Sequence, residues 1–169
     1  VFILEEKYAG KSTAEKLAAV REAMEKEGAD YHILTSLYDI AWLLNVRGGD
    51  IECVPVVLSY LVLTEKECIW FLQEEIVDEK LRAYLNENHI TTRSYDAIYE
   101  YVLDIPANAK VLLSAGQVNY RIVSSLNEDI TIIDKPNPTL LMKAVKNQTE
   151  VDNTRAAHVK DGVAVTKFM

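Results

Sequence analysis

The sequence predicts an α/β fold in three layers, a mixed β-sheet with helices on both faces, followed by a helical arm. Three observations predict it. Strand-like and helix-like stretches alternate from Tyr31 to Asp134, the order expected of a sheet clothed by helices. The run "VVLSYLVL" (Val56 to Leu63) is nearly continuous in apolar residues, as a strand covered on both faces requires. The turn "TEKE" (Thr64 to Glu67) sends the chain back through "ECIWFL", which makes one strand pair antiparallel and the sheet mixed.

Each element has its own justification. "STAEKLAAVREAMEKEG" opens with Ser12, and Glu15 three residues on completes a capping box. Leu17, Val20 and Met24 form its apolar stripe, and Gly28 ends the helix. "YHILTSL" (Tyr31 to Leu37) reads as a strand and "YDIAWLLN" as a short apolar helix. After the hairpin, "IVDEKLRAYLNEN" aligns Val77, Leu81, Tyr84 and Leu85 on one helical face. "YDAIYEYVL" does the same with Tyr95, Ile98, Tyr99 and Val102. "KVLLS" is a short strand, "QVNYRIVSSL" a helix and "DITIID" (Asp129 to Asp134) the last strand. Pro136 and Pro138 then stop the pattern, because each removes a backbone donor and restricts the residue before it. Lys135 to Pro138 therefore reads as a domain boundary, and Thr139 to Met169 as the opening of something else.

A chain of 169 residues can bury one good core with some length left over. Its 49% apolar and 26% charged residues are a typical globular balance. No apolar run approaches the ~20 residues of a bilayer span. "VFILEEKYAGKS" lacks the basic leader and long apolar core of a signal peptide. The missing initiator Met suggests an internal fragment. A formal net charge of −8, with no basic patch, argues against nucleic acid and against anionic membranes as partners. Of the two cysteines, Cys68 falls beside the hairpin turn. Cys53 falls on the other arm, roughly 30 Å away at strand rise. That is too far for a disulfide, so two reduced thiols of an intracellular chain are expected.

Several constellations invite a functional reading. Asp39 and Asp50 bracket "DIAWLLNVRGGD", and paired carboxylates can hold a divalent metal. Yet His32, His89 and His158 supply no paired-ligand spacing, so capping or surface roles account for the two aspartates. "NVRGGD" is the most site-like loop: Asn45, Arg47 and Asp50 stand beside two glycines that permit close backbone approach or positive φ. A glycine C-cap and a turn into the next strand also explain it. Arg47 is the best candidate for contacting a carboxylate, because its planar fork matches that partner. "SAGQ" is a strand-to-helix turn, and no nucleophile elbow or phosphate loop occurs. The carboxylates a nuclease would need on its central strands are missing from "YHILTSL". The residues by themselves show no self-sufficient active site.

Taken together, "YDIAWLLNVRGGDIECVPVVLSYLVL" and "NPTLLMKAVKNQTEVDNTRAAHVKDGVAVTKF" resemble three-domain Xaa-Pro aminopeptidases of the creatinase and prolidase superfamily of pita-bread metallopeptidases. The first stretch is similar to that family's second, non-catalytic domain. The second is similar to the passage into its catalytic domain, with Lys143, Lys146, Asn147, Glu150, Arg155, His158 and Asp161 on pattern. "KYAGKSTAEKLAAVREAM" matches the usual lead-in.

The resemblance implies a ribonuclease H-like mixed sheet of about six strands. It implies that residues 1–10 are a linker from a preceding domain, 11–135 the non-catalytic domain and 136–169 the start of the catalytic one. In the family that later domain holds two divalent metals, commonly manganese, through two Asp, one His and two Glu. A metal-bound hydroxide there removes the N-terminal residue from peptides with proline second. None of those ligands is expected in this chain, and the metal role does not pass to Asp39 or Asp50. The non-catalytic domains shape access to the active site and help assemble homodimers in the cytoplasm. Arg47 and Asp50 are the substrate-side candidates. The alternative is a free-standing α/β interaction or small-ligand-binding module. The terminal segment is apolar on most sides, and a helix of that kind seeks cover. It is expected to pack against a second copy or to be disordered.

Overall fold

The computed structural model describes residues 1–169. Its centre is a six-stranded mixed sheet: β2 (Tyr31–Leu34), β4 (Tyr60–Thr64), β5 (Cys68–Leu72), β6 (Ile90–Ser94), β7 (Lys110–Leu113) and β8 (Thr131–Asp134), in the order β6-β5-β4-β2-β7-β8. β4 runs antiparallel to both β2 and β5, while the β5–β6, β2–β7 and β7–β8 pairs are parallel. The hairpin turns where expected, Thr64 N–H donating to Glu67 O over 2.9 Å. Every residue of β5 is buried.

Helices cover both faces. On one lie α2 (Thr13–Glu27), α3 (Leu37–Leu43), α4 (Glu79–Glu87) and α7 (Pro138–Ala144), packing Leu17, Val20 and Leu81 against Leu61, Trp70 and Leu112. The other carries α5 (Ile98–Tyr101) and α6 (Tyr120–Ser125), which pack Ile98, Val102 and Ile122 against Ile33, Val62 and Phe71. The alternation of β2 shows how the two faces are supplied: Ile33 points to the second cluster, Leu34 to the first. The capping box at Ser12 and Glu15 is formed, and Gly28 ends α2 at φ 66.

Some expectations require correction. The run from Val56 does not enter the ladder until Tyr60. Val56 and Val57 are buried, but they descend from a tight turn, and Pro55 has no N–H for a ladder. β6 has no apolar signature, because it is an edge strand in which Ile90 alone is buried. The expected helix over Gln117 to Leu126 shortens to Tyr120–Ser125, capped by Asn119. Cys53 is on no strand arm. It sits at φ 60 in the turn between Ile51 and Val54, exposed, whereas Cys68 opens β5, buried, and both thiols are free.

Two further pieces frame the site. β1 (Phe2–Ile3) pairs antiparallel with β3 (Val46–Arg47), and α1 (Glu6–Ala9) follows. α8 (Gln148–Phe168) begins against this N-terminal hook and then runs clear of the body, with every residue from Thr154 onward exposed. It is helical throughout rather than disordered. No helix is long and apolar enough to cross a membrane.

Candidate functional site: the cleft beside Arg47

The most site-like region grows from the C-terminal end of α3. A helix leaves its last carbonyls without internal partners. Here no glycine caps the end; Asn45, at φ 51, takes the left-handed position instead, so the expected glycine C-cap is corrected. Side chains supply the missing donors. Arg47 Nη1 donates to Ala41 O and Val46 O, both at 2.8 Å. Lys16 Nζ donates to Trp42 O at 2.9 Å, and Tyr84 Oη to Leu44 O at 3.1 Å. Two cations at a helix C-terminus also suit its negative pole. Asn45 is buried, accepting from Lys16 Nζ at 2.6 Å and donating to Lys11 O at 2.9 Å.

The opposite wall is the α7–α8 joint. Asn147 caps α8 and forms a capping box with Glu150. It also donates to Ala9 O at 2.8 Å, tying the joint to the N-terminal hook. Gly10 makes this possible: at φ 70, a Cβ there would lie 2.4 Å from Asn147 Oδ1. Trp42 Nε1 reaches Glu150 Oε1 at 3.3 Å, and Asn153 donates to Lys7 O at 3.1 Å. α7 is pinned to α3 by the buried Asp39, which accepts from Thr139 Oγ1 at 3.1 Å and pairs with Lys143. Between these walls lies a cleft of about 470 Å³, with Tyr8, Tyr38 and Trp42 as aromatic lining and Arg47, Lys143 and Lys146 as its cations.

The electrostatics follow from burial. The Lys16 ammonium is pushed down to about 8, chiefly by loss of solvent; Glu150 opposes this, while Arg47, Lys11 and Lys146 add to it. Burial likewise lowers the Arg47 guanidinium from its usual value, with Glu150 in partial opposition.

The other candidates have settled local roles. Asp50 is exposed and accepts Leu58 N–H at 2.7 Å, which closes the loop between β3 and β4. Gly48 is required by close approach rather than by φ, since a Cβ there would meet Val57 Cγ2 at 2.6 Å and Val56 O at 2.7 Å. Asp39 and Asp50 do not converge, for one is buried under Lys143 and the other lies at the surface. His158 is exposed on α8, its Nδ1 2.9 Å from Thr154 O. Nowhere do three or more His, Cys, Asp or Glu gather in one place.

Sequence reasoning missed Lys16 and the Asp39–Lys143 pair. Lys16 had a signal: it lies four residues before Val20, on the buried stripe of α2. Asp39 and Lys143 are too far apart in sequence to have one.

The profile of the creatinase/prolidase N-terminal domain matches residues 1–150. The chain belongs to this family. Among its relatives, a Xaa-Pro aminopeptidase 1 of Dictyostelium discoideum is 36% identical over 172 residues, covering 100% of this chain and 27% of the relative. A probable Xaa-Pro aminopeptidase P of Laccaria bicolor is 36% identical over 175 residues, covering 99% of this chain and 26% of its own length. The chain thus spans about a quarter of these relatives. An X-prolyl aminopeptidase from Caenorhabditis elegans, described as a cytosolic enzyme with a di-nuclear active site, superposes with TM-score 0.91 at 28% identity. That match covers 99% of this chain and 28% of the nematode enzyme. A Xaa-Pro dipeptidase from Bacillus anthracis shares the fold at TM-score 0.62 and 16% identity, over 83% of this chain and 38% of that one. The family fold accounts for the six-stranded mixed sheet and for helices on both its faces.

Proposed function

We propose that this chain is the non-catalytic portion of a Xaa-Pro aminopeptidase whose chemistry resides in a domain outside it. The parent enzyme removes the N-terminal residue from peptides with proline in second position, using water activated by two divalent metals, manganese by expectation. It works in the cytoplasm as a homodimer, and this portion shapes access to the active site and assembly. The observation that supports the reading most is the end-to-end match of this chain to about a quarter of the nematode and slime-mould aminopeptidases. Residues 1–10 act as a linker from a preceding domain, 11–135 as the non-catalytic domain and 136–169 as the start of the catalytic one. The departure of α8 from the body after Asn153 supports giving that stretch to the catalytic domain, whereas α7 packs on α3 through Thr139 and Lys143.

Arg47 and Asp50 face substrate in this reading. Arg47 has atoms to spare, since Nη1 alone is bonded to the protein, and Asp50 is exposed. The test is peptidase assay of the longer protein, with and without chelator, beside the 169-residue chain. Cleavage of Xaa-Pro peptides by the longer protein alone, abolished by chelation, is expected. Cleavage by the 169-residue chain unaided would overturn the reading. In the longer enzyme Arg47→Ala should raise KM; unchanged KM and kcat would remove Arg47 from the site.

A further inference from the structure

We infer that the cleft between α3 and the α7–α8 joint binds the free carboxylate of a short peptide, held by Arg47 and Lys146. The first ground is a charge imbalance. The whole chain carries −8, yet Arg47, Lys143 and Lys146 line this one cleft, with Lys16 buried behind it at the end of α3. Of the four, only Lys143 has a carboxylate within 4.0 Å, namely Asp39. Lys16 is 2% exposed, and its ammonium is bonded only to Trp42 O and the Asn45 amide, both neutral. Buried cations are ordinarily neutralised by a partner.

The second ground is that the oxygens of the local acids already accept other donors. Glu150, the one carboxylate in the lining, accepts from Trp42 Nε1 through one oxygen and from Asn147 N–H, at 3.0 Å, through the other. Asp39 lies behind the wall and is occupied by Thr139 and Lys143. Arg47 keeps Nε and Nη2 without protein partners, a planar pair suited to two carboxylate oxygens. Lys146 is exposed and bonded only to Lys143 O, so it is free to turn toward a ligand.

The third ground is shape. A cleft of about 470 Å³ lies within the size range of small-ligand sites. Tyr8 and Tyr38 are exposed, at 46% and 59%, and with Trp42 they give the cleft an aromatic lining against which the residues before a terminal carboxylate can pack. The carboxylate follows from this chain's own side chains. That a peptide carries it rests on the peptidase reading above.

The experiment is a nuclear magnetic resonance titration of the 169-residue chain with Ala-Pro-Ala, its C-terminal amide and acetate, following the two indole N–H signals. Trp42 lines the cleft, while Trp70 is 0% exposed and serves as the internal reference. The Trp42 signal should move saturably with the free acid and less so at high salt. The amide should bind about tenfold more weakly or worse, and Lys146→Gln should abolish the shift with Trp70 unmoved. Acid and amide titrating alike, or an unmoved Trp42, would overturn the site. Acetate saturating at the same concentration as the tripeptide would overturn the peptide. A failure of the peptidase reading shows itself separately, as no cleavage by the longer protein.

Discussion

Removing the Lys143 ammonium would strand the Asp39 carboxylate, and the cost can be worked from the structure. The Asp39 side chain is 1% exposed, with Lys143 and Thr139 as its side-chain partners. Breaking one side of a buried pair typically costs about 3–5 kcal/mol, because the remaining charge loses its compensation. Lys143 is 26% exposed, so water can enter the gap and the lower end applies. Lys143→Met is therefore expected to cost about 3 kcal/mol, or roughly 6–12 °C in Tm for a domain of this size. Asp39→Asn with Lys143→Met removes both charges and keeps an acceptor for Thr139. It should recover all but about 1 kcal/mol. Urea unfolding followed by circular dichroism, with the slope unchanged, measures both. A single-variant cost below about 1 kcal/mol, the level of an exposed pair, would refute the argument. So would a double variant as unstable as the single.

Gly10→Ala forces a side chain into φ 70 and to within 2.4 Å of Asn147 Oδ1, so the joint must shift. A loss of about 1–2 kcal/mol is expected, with faster amide exchange over Gln148 to Val151 as the local signature. His32 is fully buried, its Nδ1 facing Leu112 O at 3.0 Å and its Nε2 without a partner. Burial holds its pKa below 6.5 against smaller opposing effects from Leu112 O and Asp39. Its proton is therefore taken up by the unfolded chain first, so stability should fall as pH drops below about 6.5, by at most ~1.4 kcal/mol per pH unit. Urea midpoints between pH 7.5 and 5 measure this, and His32→Leu should flatten the slope. Finally, Val163, Phe168 and Met169 are 49%, 92% and 96% exposed. Covering each such side chain is worth about 1.5–3 kcal/mol, so self-association is expected for the whole chain and not for one ending at Asn153, by light scattering.

What could be read in advance follows the range of the forces involved. α2 was legible down to its caps, because Ser12, Glu15 and Gly28 act within one turn of the residues they terminate. The hairpin was legible because Thr64 and Glu67 close it locally. β6 was not: "ITTRS" is an edge strand that buries one side chain, so its place comes from the exposed backbone of β5 rather than from an apolar pattern. The cleft was legible only through Arg47. Its other wall comes from Lys143 to Glu150, about a hundred residues on, and no local period links those residues to Tyr38 or Trp42. Lys16 was overlooked for a different reason. A lysine in a helix reads as solvent-facing, and only the unmet carbonyls at the end of α3 give its ammonium a reason to be inside.

The "NVRGGD" loop shows how a structural and a functional role can share residues. Asn45 supplies the left-handed turn, Gly48 the close approach to Val56, and Asp50 the tie to Leu58 N–H. Asn45 holds the turn from α3 into β3, while Gly48 and one oxygen of Asp50 hold the chain between β3 and β4. Arg47 is only half spent, because one nitrogen satisfies two carbonyls and leaves Nε and Nη2 without protein partners on a side chain that lines the cleft. Capping alone could be done by a lysine, as Lys16 does at the adjacent carbonyl, Trp42 O. Arg47→Lys should therefore keep the fold near wild-type stability while losing bidentate capture of a carboxylate. A melting temperature that fell while peptide binding stayed intact would mean that the guanidinium is there for α3 alone.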